Sequence, residues 1–269
     1  MPAVDPTRLR FQIDKLMAFI HSPEEFHNHL KDLFGFYANR TLRFGDSAPS
    51  KPYTLMYNLP NPVLRQLNLD LDRYIEVEPQ TALVLADELW KDDYLEVQST
   101  AIHILGSVQV DGPEQVLARI KKWLSPDLDQ TLIAQIFSTG AHQLQDLFPK
   151  DWESFIESLL DHEDPKYTGL GIRGLSEGLS NPDFKNLPAV FRLISPFIRD
   201  PQRSQLNNLQ LLVEHLVQRS PTETAFFLRQ VLSVSESPLT GQLIKQCLPL
   251  FPEVIRQELN TALKKRTKP

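Results

Sequence analysis

The sequence predicts an all-α protein, a right-handed α-α superhelix in which successive helical pairs stack on one another. Apolar residues recur at three- and four-residue intervals along most of the chain, which is the spacing of amphipathic helices. The breaks between these stretches are short and carry the chemistry of helix starts. No convincing strand pattern interrupts them. Stretches with helical spacing include FHNHLKDLFGFY (26–37), VQSTAIHILGSV (97–108), VLARIKKWL (116–124) and LQLLVEHLV (209–217).

Most of the 21 prolines fall where a helix would begin, a position at which the missing N–H costs nothing. Residues 22–25 and 220–223 both follow the S-x-x-E capping-box pattern with proline at the first helical position, so each predicts a helix start. Asp164 before Pro165 repeats the signal of a capping residue followed by proline. Three prolines stand inside apolar stretches and predict helix ends or kinks: Pro188, Pro196 and Pro249.

The helices are predicted to form repeats. Two helices with their turns occupy about 35–45 residues, the size of HEAT and armadillo repeats. Predicted helical segments begin near residues 61, 79, 94, 113, 128, 151, 165, 185, 203, 221, 237 and 252. We therefore expect residues 1–269 to form a single α-solenoid domain. Its parts are an N-terminal helical pair (1–40), a long connection without helical pattern (41–61) and HEAT-like helical repeats (62–266).

Charge is unevenly distributed along the chain. The net charge is -6, which weakens the case for a nucleic-acid partner. Residues 51–202 hold 13 Lys and Arg against 23 Asp and Glu, whereas residues 203–269 hold 9 against 5. The acidic middle favours a partner of basic character. The basic end is typical of a solvated helix terminus.

The composition also allows a prediction of the cellular location of the protein. No apolar stretch approaches the 18 residues that predict a membrane span, and the first residues, MPAVDPTRLRFQID, lack the apolar segment of a signal peptide. The single cysteine, Cys247, fits a reducing compartment and lies in a helical pattern where it is expected to be buried. We expect a cytoplasmic protein with no membrane partner.

A literal G-x-G-x-x-G occurs at Gly169, Gly171 and Gly174. This pattern binds dinucleotide phosphates when it lies between a strand and a helix. Here a helix start at residues 164–165 precedes it and no strand does. We therefore interpret the glycines as the close contact of one helix with a neighbour, and we expect no nucleotide cofactor.

No metal site or other cofactor is predicted. His27 and His29 are two residues apart and would lie on different faces of a helix. The acidic cluster DHEDP (161–165) is typical of a capped turn between helices. There is no cysteine pair, no HExxH, no G-x-S-x-G and no Walker loop.

Three segments resemble the HEAT-like DNA alkylation repair glycosylases. They are LPNPVLRQLNLDL (59–71), LADELWKDDYLEVQSTAIHILGSV (85–108) and NNLQLLVEHLVQRSPTETAFFLRQVL (207–232). The resemblance covers about residues 55–255. It implies a concave basic groove that holds the DNA backbone around a modified base.

In that family, an aspartate in a central helix stabilises the positive charge that develops as the glycosidic bond breaks. The matching stretch here is SPDLDQTLIAQIFSTG (125–140), and the expected aspartate position falls on Ala134 or Gln135. Asp129 is the nearest carboxylate along this stretch, but it precedes the helix, where it suits a cap. Asp129 and Gln135 are thus the weak catalytic candidates, and no catalytic residue is assigned.

Four residues are the candidates for binding on the concave face: Arg65, Trp90, Trp123 and Arg173. A flat aromatic ring in a groove can stack on a base or on a partner side chain. The alternative is that the tryptophans cover the turns between helices as part of the core.

The leading hypothesis is a non-catalytic HEAT-like repeat protein whose concave groove binds a macromolecular partner, namely a protein or peptide. The alternative is a DNA-binding or DNA alkylation repair protein, similar to an alkylpurine glycosylase, with a rearranged site. A groove that holds a small ligand is a third hypothesis.

Overall fold

All the regular secondary-structure elements of the described residues are helices. The computed structural model describes residues 4–39, 55–182 and 184–266. Within these ranges the only β pairing is an isolated bridge between Leu55 and Tyr94. The predicted all-α class is therefore confirmed. None of the described helices is long and apolar enough to cross a bilayer.

The chain divides into two compact units, which we call the N-terminal unit (Met1–Phe148) and the C-terminal unit (Pro149–Pro269). Each unit is described by itself below. That residues 1–269 form one α-solenoid domain remains a prediction, and most of the long connection predicted over 41–61 lies outside the described residues.

The N-terminal unit consists of eight described α-helices and one π-helix. They are α1 (Pro6–Met17), α2 (Pro23–Tyr37), α3 (Asn61–Val77), α4 (Pro79–Leu89), α5 (Leu95–Ser107), α6 (Glu114–Trp123), α7 (Gln130–Gln135), the π-helix (Ile136–Gly140) and α8 (His142–Leu147).

The C-terminal unit consists of seven described α-helices and two short 3₁₀ turns. They are α9 (Pro149–Leu160), α10 (Pro165–Leu179), α11 (Leu187–Arg199), the turn Arg203–Gln205, α12 (Leu206–Arg219), α13 (Pro221–Val234), α14 (Pro238–Cys247), the turn Leu248–Leu250 and α15 (Glu253–Arg266).

Helix starts agree closely with the proline and capping signals. The side chains of Asp5, Asp129, Asp164 and Asn186 accept hydrogen bonds from the first backbone N–H groups of their helices. The prediction of two capping boxes was only partly correct. Helices α2 and α13 begin at the prolines as predicted, but the serine before each makes no side-chain cap bond.

The three prolines within apolar stretches behave differently from one another. Pro188 lies in the first turn of α11, where a proline is tolerated. Helix α11 then continues through Pro196 to Arg199, so no helix end occurs at Pro196 and the alternative, a kink there, remains a prediction. Pro249 lies in the 3₁₀ turn that directly follows α14.

Helix α5 is the centre of the N-terminal unit, because it packs against α3, α4, α7 and the π-helix. Its core-facing residues are almost completely buried, including Val97, Ala101, Ile104 and Leu105. Burying such side chains contributes about 25 cal/mol per Å² of apolar surface, so this packing holds α5 firmly.

The segment before α3 is fixed to α5 by one buried carboxylate. Glu96 accepts hydrogen bonds from the backbone N–H groups of Tyr57 at 3.0 Å and Asn58 at 2.7 Å. The Tyr57 ring stacks on Tyr94, with centroids 4.2 Å apart. Burial, together with the neighbouring Tyr94 and the carboxylates of Asp92 and Glu96, raises the pKa of Tyr57 to about 12.

A second ionic contact joins α2 to the turn between α4 and α5. Asp92 lies 2.7 Å from His27 Nε2 and 2.8 Å from Lys31 Nζ, and the Tyr94 N–H donates to it. Burial alone would raise the pKa of Asp92, but hydrogen bonds from Lys31, the Tyr94 N–H and His27 hold it below its ordinary value. Asp92 therefore stays ionised and keeps α2 against the unit.

In the C-terminal unit, α10 packs against α9 and α12. The predicted G-x-G-x-x-G lies within this helix, and the residues before it are the first turn of α10 and the α9–α10 turn rather than a strand. Gly171, Gly174 and Gly178 are all buried. The interpretation of the glycines as a close helix contact therefore fits the structure.

Candidate binding pocket

A pocket of about 200 Å³ lies in the N-terminal unit between α3, α5 and the segment formed by α7 and the π-helix. Each of these three segments contributes a pair of residues four apart, which places both members on one helix face. The pairs are Leu64 and Asn68, Ser99 and His103, and Gln135 and Thr139, with Thr100 and Ile102 completing the wall. The helical period of the sequence thus brings mostly polar side chains to one place.

Two glycines allow α5 to approach the π-helix closely enough to form this wall. A Cβ atom on Gly106 would lie 2.2 Å from the backbone oxygen of Thr139, and one on Gly140 would lie 3.3 Å from Ile102 Cγ2. Real Cβ atoms do not approach a backbone oxygen at 2.2 Å, so only glycine fits at Gly106. The π-helix itself is a rare element that is often found at functional sites.

The pocket wall contains polar atoms that are shielded from solvent and have no partner. Asn68 Oδ1, Ser99 Oγ and Gln135 Oε1 each make no hydrogen bond within the described residues. A buried polar atom without a partner costs about 1–3 kcal/mol. Three residues with such atoms line one pocket, which makes this pocket the candidate site.

His103 is the one ionisable side chain among the residues that line the pocket. None of the lining residues is an aspartate or a glutamate. Asp72 does not line the pocket, but it is 2.8 Å from His103 Nε2 and accepts a hydrogen bond from Ser107 Oγ at 3.0 Å. Asp72 therefore orients the imidazole of His103.

The structure places the two catalytic candidates differently. Gln135 lines the pocket, whereas Asp129 does not. Asp129 is 6% exposed and accepts a hydrogen bond from the Thr131 N–H at 2.8 Å, as an N-cap of α7. Ala134, the other position matched to the family's aspartate, is half-buried outside the pocket wall.

The tryptophan candidates contact each other. The rings of Trp90 and Trp123 stack with centroids 4.6 Å apart and planes 11° apart. Trp123 is 3% exposed and Trp90 is half-buried, so each covers a face of the other at the ends of α4 and α6. Trp152, which lies in α9, is buried. A role for Trp90 or Trp123 in a groove remains a prediction.

The arginine candidates are not part of the pocket wall. Arg65 is exposed on α3, one residue after Leu64. Arg173, in the C-terminal unit, pairs with Glu177 at 2.7 Å one helical turn away. Their binding roles also remain predictions.

Sequence reasoning missed most of the pocket, namely Asn68, Ser99, His103 and Thr139. Their signal is present in the sequence, because each is a polar residue four positions from another pocket residue on the same helix face. That signal becomes specific only when the three helix faces are known to meet.

No group of three or more His, Cys, Asp or Glu within the described ranges could hold a metal ion. Cys247 is buried, and burial together with the nearby Glu214 raises the pKa of its thiol to about 12. This thiol is therefore an unreactive core residue in the folded unit.

Fold and pocket define an α-helical protein with a small, neutral, hydrogen-bonding pocket between packed helices. Residues 49–165 match the sequence profile of a family described as DNA alkylation repair enzyme. This match confirms the family resemblance over that part of the chain, which includes every pocket residue. No curated protein and no solved structure matches the chain significantly.

Proposed function

We propose that this protein is a non-catalytic, HEAT-like member of the DNA alkylation repair type, which binds a basic protein partner in the cytoplasm. Its helical pairs would stack into a right-handed superhelix, whose concave groove holds the partner. The observation that carries the proposal is Gln135, which lines the pocket in a wall that has no carboxylate.

Cleavage of a glycosidic bond develops positive charge on the sugar, and a nearby carboxylate stabilises that charge in a shielded site. An amide such as Gln135 supplies only a dipole. Asp129, the nearest carboxylate in the same stretch, is committed to capping α7. The pocket is therefore suited to binding and lacks the group that cleavage would use.

Charge supports a protein partner of basic character. Residues 55–148 contain 6 Lys and Arg against 14 Asp and Glu. Binding to DNA phosphates relies on a surplus of positive side chains. An acidic surface attracts a basic partner instead and speeds its association.

The first test measures release of an alkylated base from methylated duplex DNA. We expect none from the wild-type protein. The matched variant is Asp129→Asn, because asparagine can still cap α7 but carries no charge. Base release by the wild type that is lost in Asp129→Asn would establish the catalytic alternative.

The second test measures fluorescence anisotropy with two labelled probes, a lysine- and arginine-rich peptide and a short DNA duplex. We expect the peptide to bind and its affinity to fall as salt rises. Tight, steeply salt-dependent binding of the duplex with no binding of the peptide would contradict the proposal.

DNA binding is the second candidate function, and the family match over residues 49–165 is the observation that favours it. The duplex probe tests this candidate directly, because binding to phosphates would give a linear fall of log affinity with log salt.

A further inference from the structure

We propose that the pocket between α3, α5 and the α7/π-helix segment binds a neutral heterocycle with a lactam edge, in which a ring N–H stands beside a ring carbonyl. Thymine, uracil and hypoxanthine have this edge. The inference goes beyond the proposed function, which concerns a protein partner and the lack of cleavage.

The hydrogen-bonding groups of the wall match such an edge. Asn68 and Gln135 have amide side chains, each with a donor NH₂ and an acceptor carbonyl, and Ser99 has a hydroxyl that both donates and accepts. An amide makes two parallel hydrogen bonds to an edge that itself presents one donor and one acceptor, as it does with base edges. Rotation of the amide lets its shielded oxygen take part.

The unpartnered atoms supply the driving force. Asn68 Oδ1, Ser99 Oγ and Gln135 Oε1 lack hydrogen bonds in the protein alone. Because these atoms have almost no accessible surface, a ligand can supply partners for them, and so remove this cost, only after the side chains rotate towards the pocket. An apolar ligand would leave this cost in place.

Charge selects against ionic ligands. The wall has no carboxylate, lysine or arginine, and the carboxylate of Asp72 is engaged with His103 and Ser107. Burying an ion without a counter-charge is far more costly than burying a neutral polar group. The ligand is therefore a neutral one.

Size and apolar surface indicate a single ring system. The volume of about 200 Å³ lies below the range of about 300–1,000 Å³ that is typical of drug-sized ligands. Leu64 and Ile102 contribute apolar side chains to the wall, which suit the faces of a flat ring.

The test is an NMR titration of the full ¹⁵N-labelled chain with thymidine, followed through the side-chain NH₂ signals of Asn68 and Gln135. The matched control ligand is N3-methylthymidine, which keeps the ring but loses its N–H donor. We expect saturable shifts with thymidine and about tenfold weaker binding of the methylated ligand. The absence of saturable shifts, or equal affinity for both ligands, would overturn the proposal.

Two variants locate the binding. Gln135→Leu should weaken thymidine binding about tenfold, because it removes one hydrogen-bonding amide and keeps the helix. Gln66→Leu is the matched control, since Gln66 also lies on a pocket helix but bonds to Asp70 and does not line the pocket. Equal loss in both variants, or in neither, would contradict the assignment.

A short single-stranded thymidine oligonucleotide distinguishes a free nucleoside from a base in nucleic acid. Equal affinity for the nucleoside and the oligonucleotide, per base, supports a free ligand. Much tighter binding of the oligonucleotide would keep the lactam proposal and instead count against the proposed basic protein partner. A failure of thymidine to bind would leave the proposed function intact.

Discussion

The two units use the same device, glycine at a helix contact, with different results. In the N-terminal unit, Gly106 lets α5 approach the backbone of the π-helix, beside the pocket and its unpartnered polar atoms. In the C-terminal unit, Gly171 lets α10 approach α9, where a Cβ would lie 2.9 Å from Leu160 Cδ2. That second contact is surrounded by buried aliphatic residues such as Ile172 and Leu175.

Glycine spacing therefore indicates a close backbone approach and carries no information about a ligand. The more conspicuous glycine pattern, G-x-G-x-x-G, lies on α10, where Gly171 contacts Leu160 of α9. The less conspicuous Gly106 stands beside the pocket. What marks the candidate site is the set of polar atoms without partners, a property of side chains on three separate helices.

The largest effect is expected for Gly106→Ala. The added methyl group would overlap the Thr139 backbone oxygen, which would displace the π-helix and lower the free energy of unfolding by about 3 kcal/mol. Urea denaturation monitored by circular dichroism measures it. Gly35→Ala is the control: nothing lies within 4 Å of a Cβ there, so a gain of about 1 kcal/mol in helix propensity is expected. Equal stability of Gly106→Ala and the wild type would show that Gly106 is not needed for the close approach of α5 to the π-helix.

The next largest effect concerns the contact of α10 with α9. Gly174→Leu adds bulk at a buried position of α10, and overpacking should destabilise the C-terminal unit by about 2 kcal/mol. Alkylation of the buried Cys247, the only cysteine, reports opening of this unit and should become about thirtyfold faster. Gly169→Ala is the control, since the nearest atom to its Cβ is a side-chain nitrogen at an ordinary 3.6 Å. An unchanged labelling rate in Gly174→Leu would refute the overpacking.

The smallest expected changes in stability concern two neighbouring hydroxyl groups at the pocket, one without a hydrogen-bond partner and one with a partner. Ser99→Ala should raise the free energy of unfolding by about 1 kcal/mol, because it removes a shielded hydroxyl that has no partner. Thr100→Val should lower it by about 1 kcal/mol, because the Thr100 hydroxyl donates to the Glu96 carbonyl at 2.8 Å. Chemical denaturation of the two variants measures both changes. Loss of stability in Ser99→Ala would show that Ser99 Oγ has a partner after all.

The helices were largely predictable because their starts depend on local chemistry. Prolines at the first helical position correctly predicted the starts of α4, α10 and α13, at Pro79, Pro165 and Pro221. The cap of α7 by Asp129 was predictable for the same reason, since it needs only a carboxylate two residues before a free N–H.

The pocket was not predictable, because it depends on which helix faces meet. Gln135 was identified through the family resemblance. Asn68 and Ser99, which line the same pocket, lie 67 and 36 residues earlier in the chain. The helix expected from residue 128 also proved to be interrupted by the π-helix, in which the Thr139 backbone lies against Gly106 of α5. Such a contact between distant parts of the chain is not visible in local propensity.

The π-helix also affects the directions in which the side chains of α8 point relative to those of α7. Each residue of an α-helix turns the next side chain by about 100°, so the wider turn at Ile136–Gly140 shifts α8 relative to α7. Gln143, whose Nε2 donates to the Gly106 carbonyl, follows that turn, and Gln135 in the pocket precedes it. We expect the deletion of one residue within the turn to change the direction of Gln143 relative to Gln135.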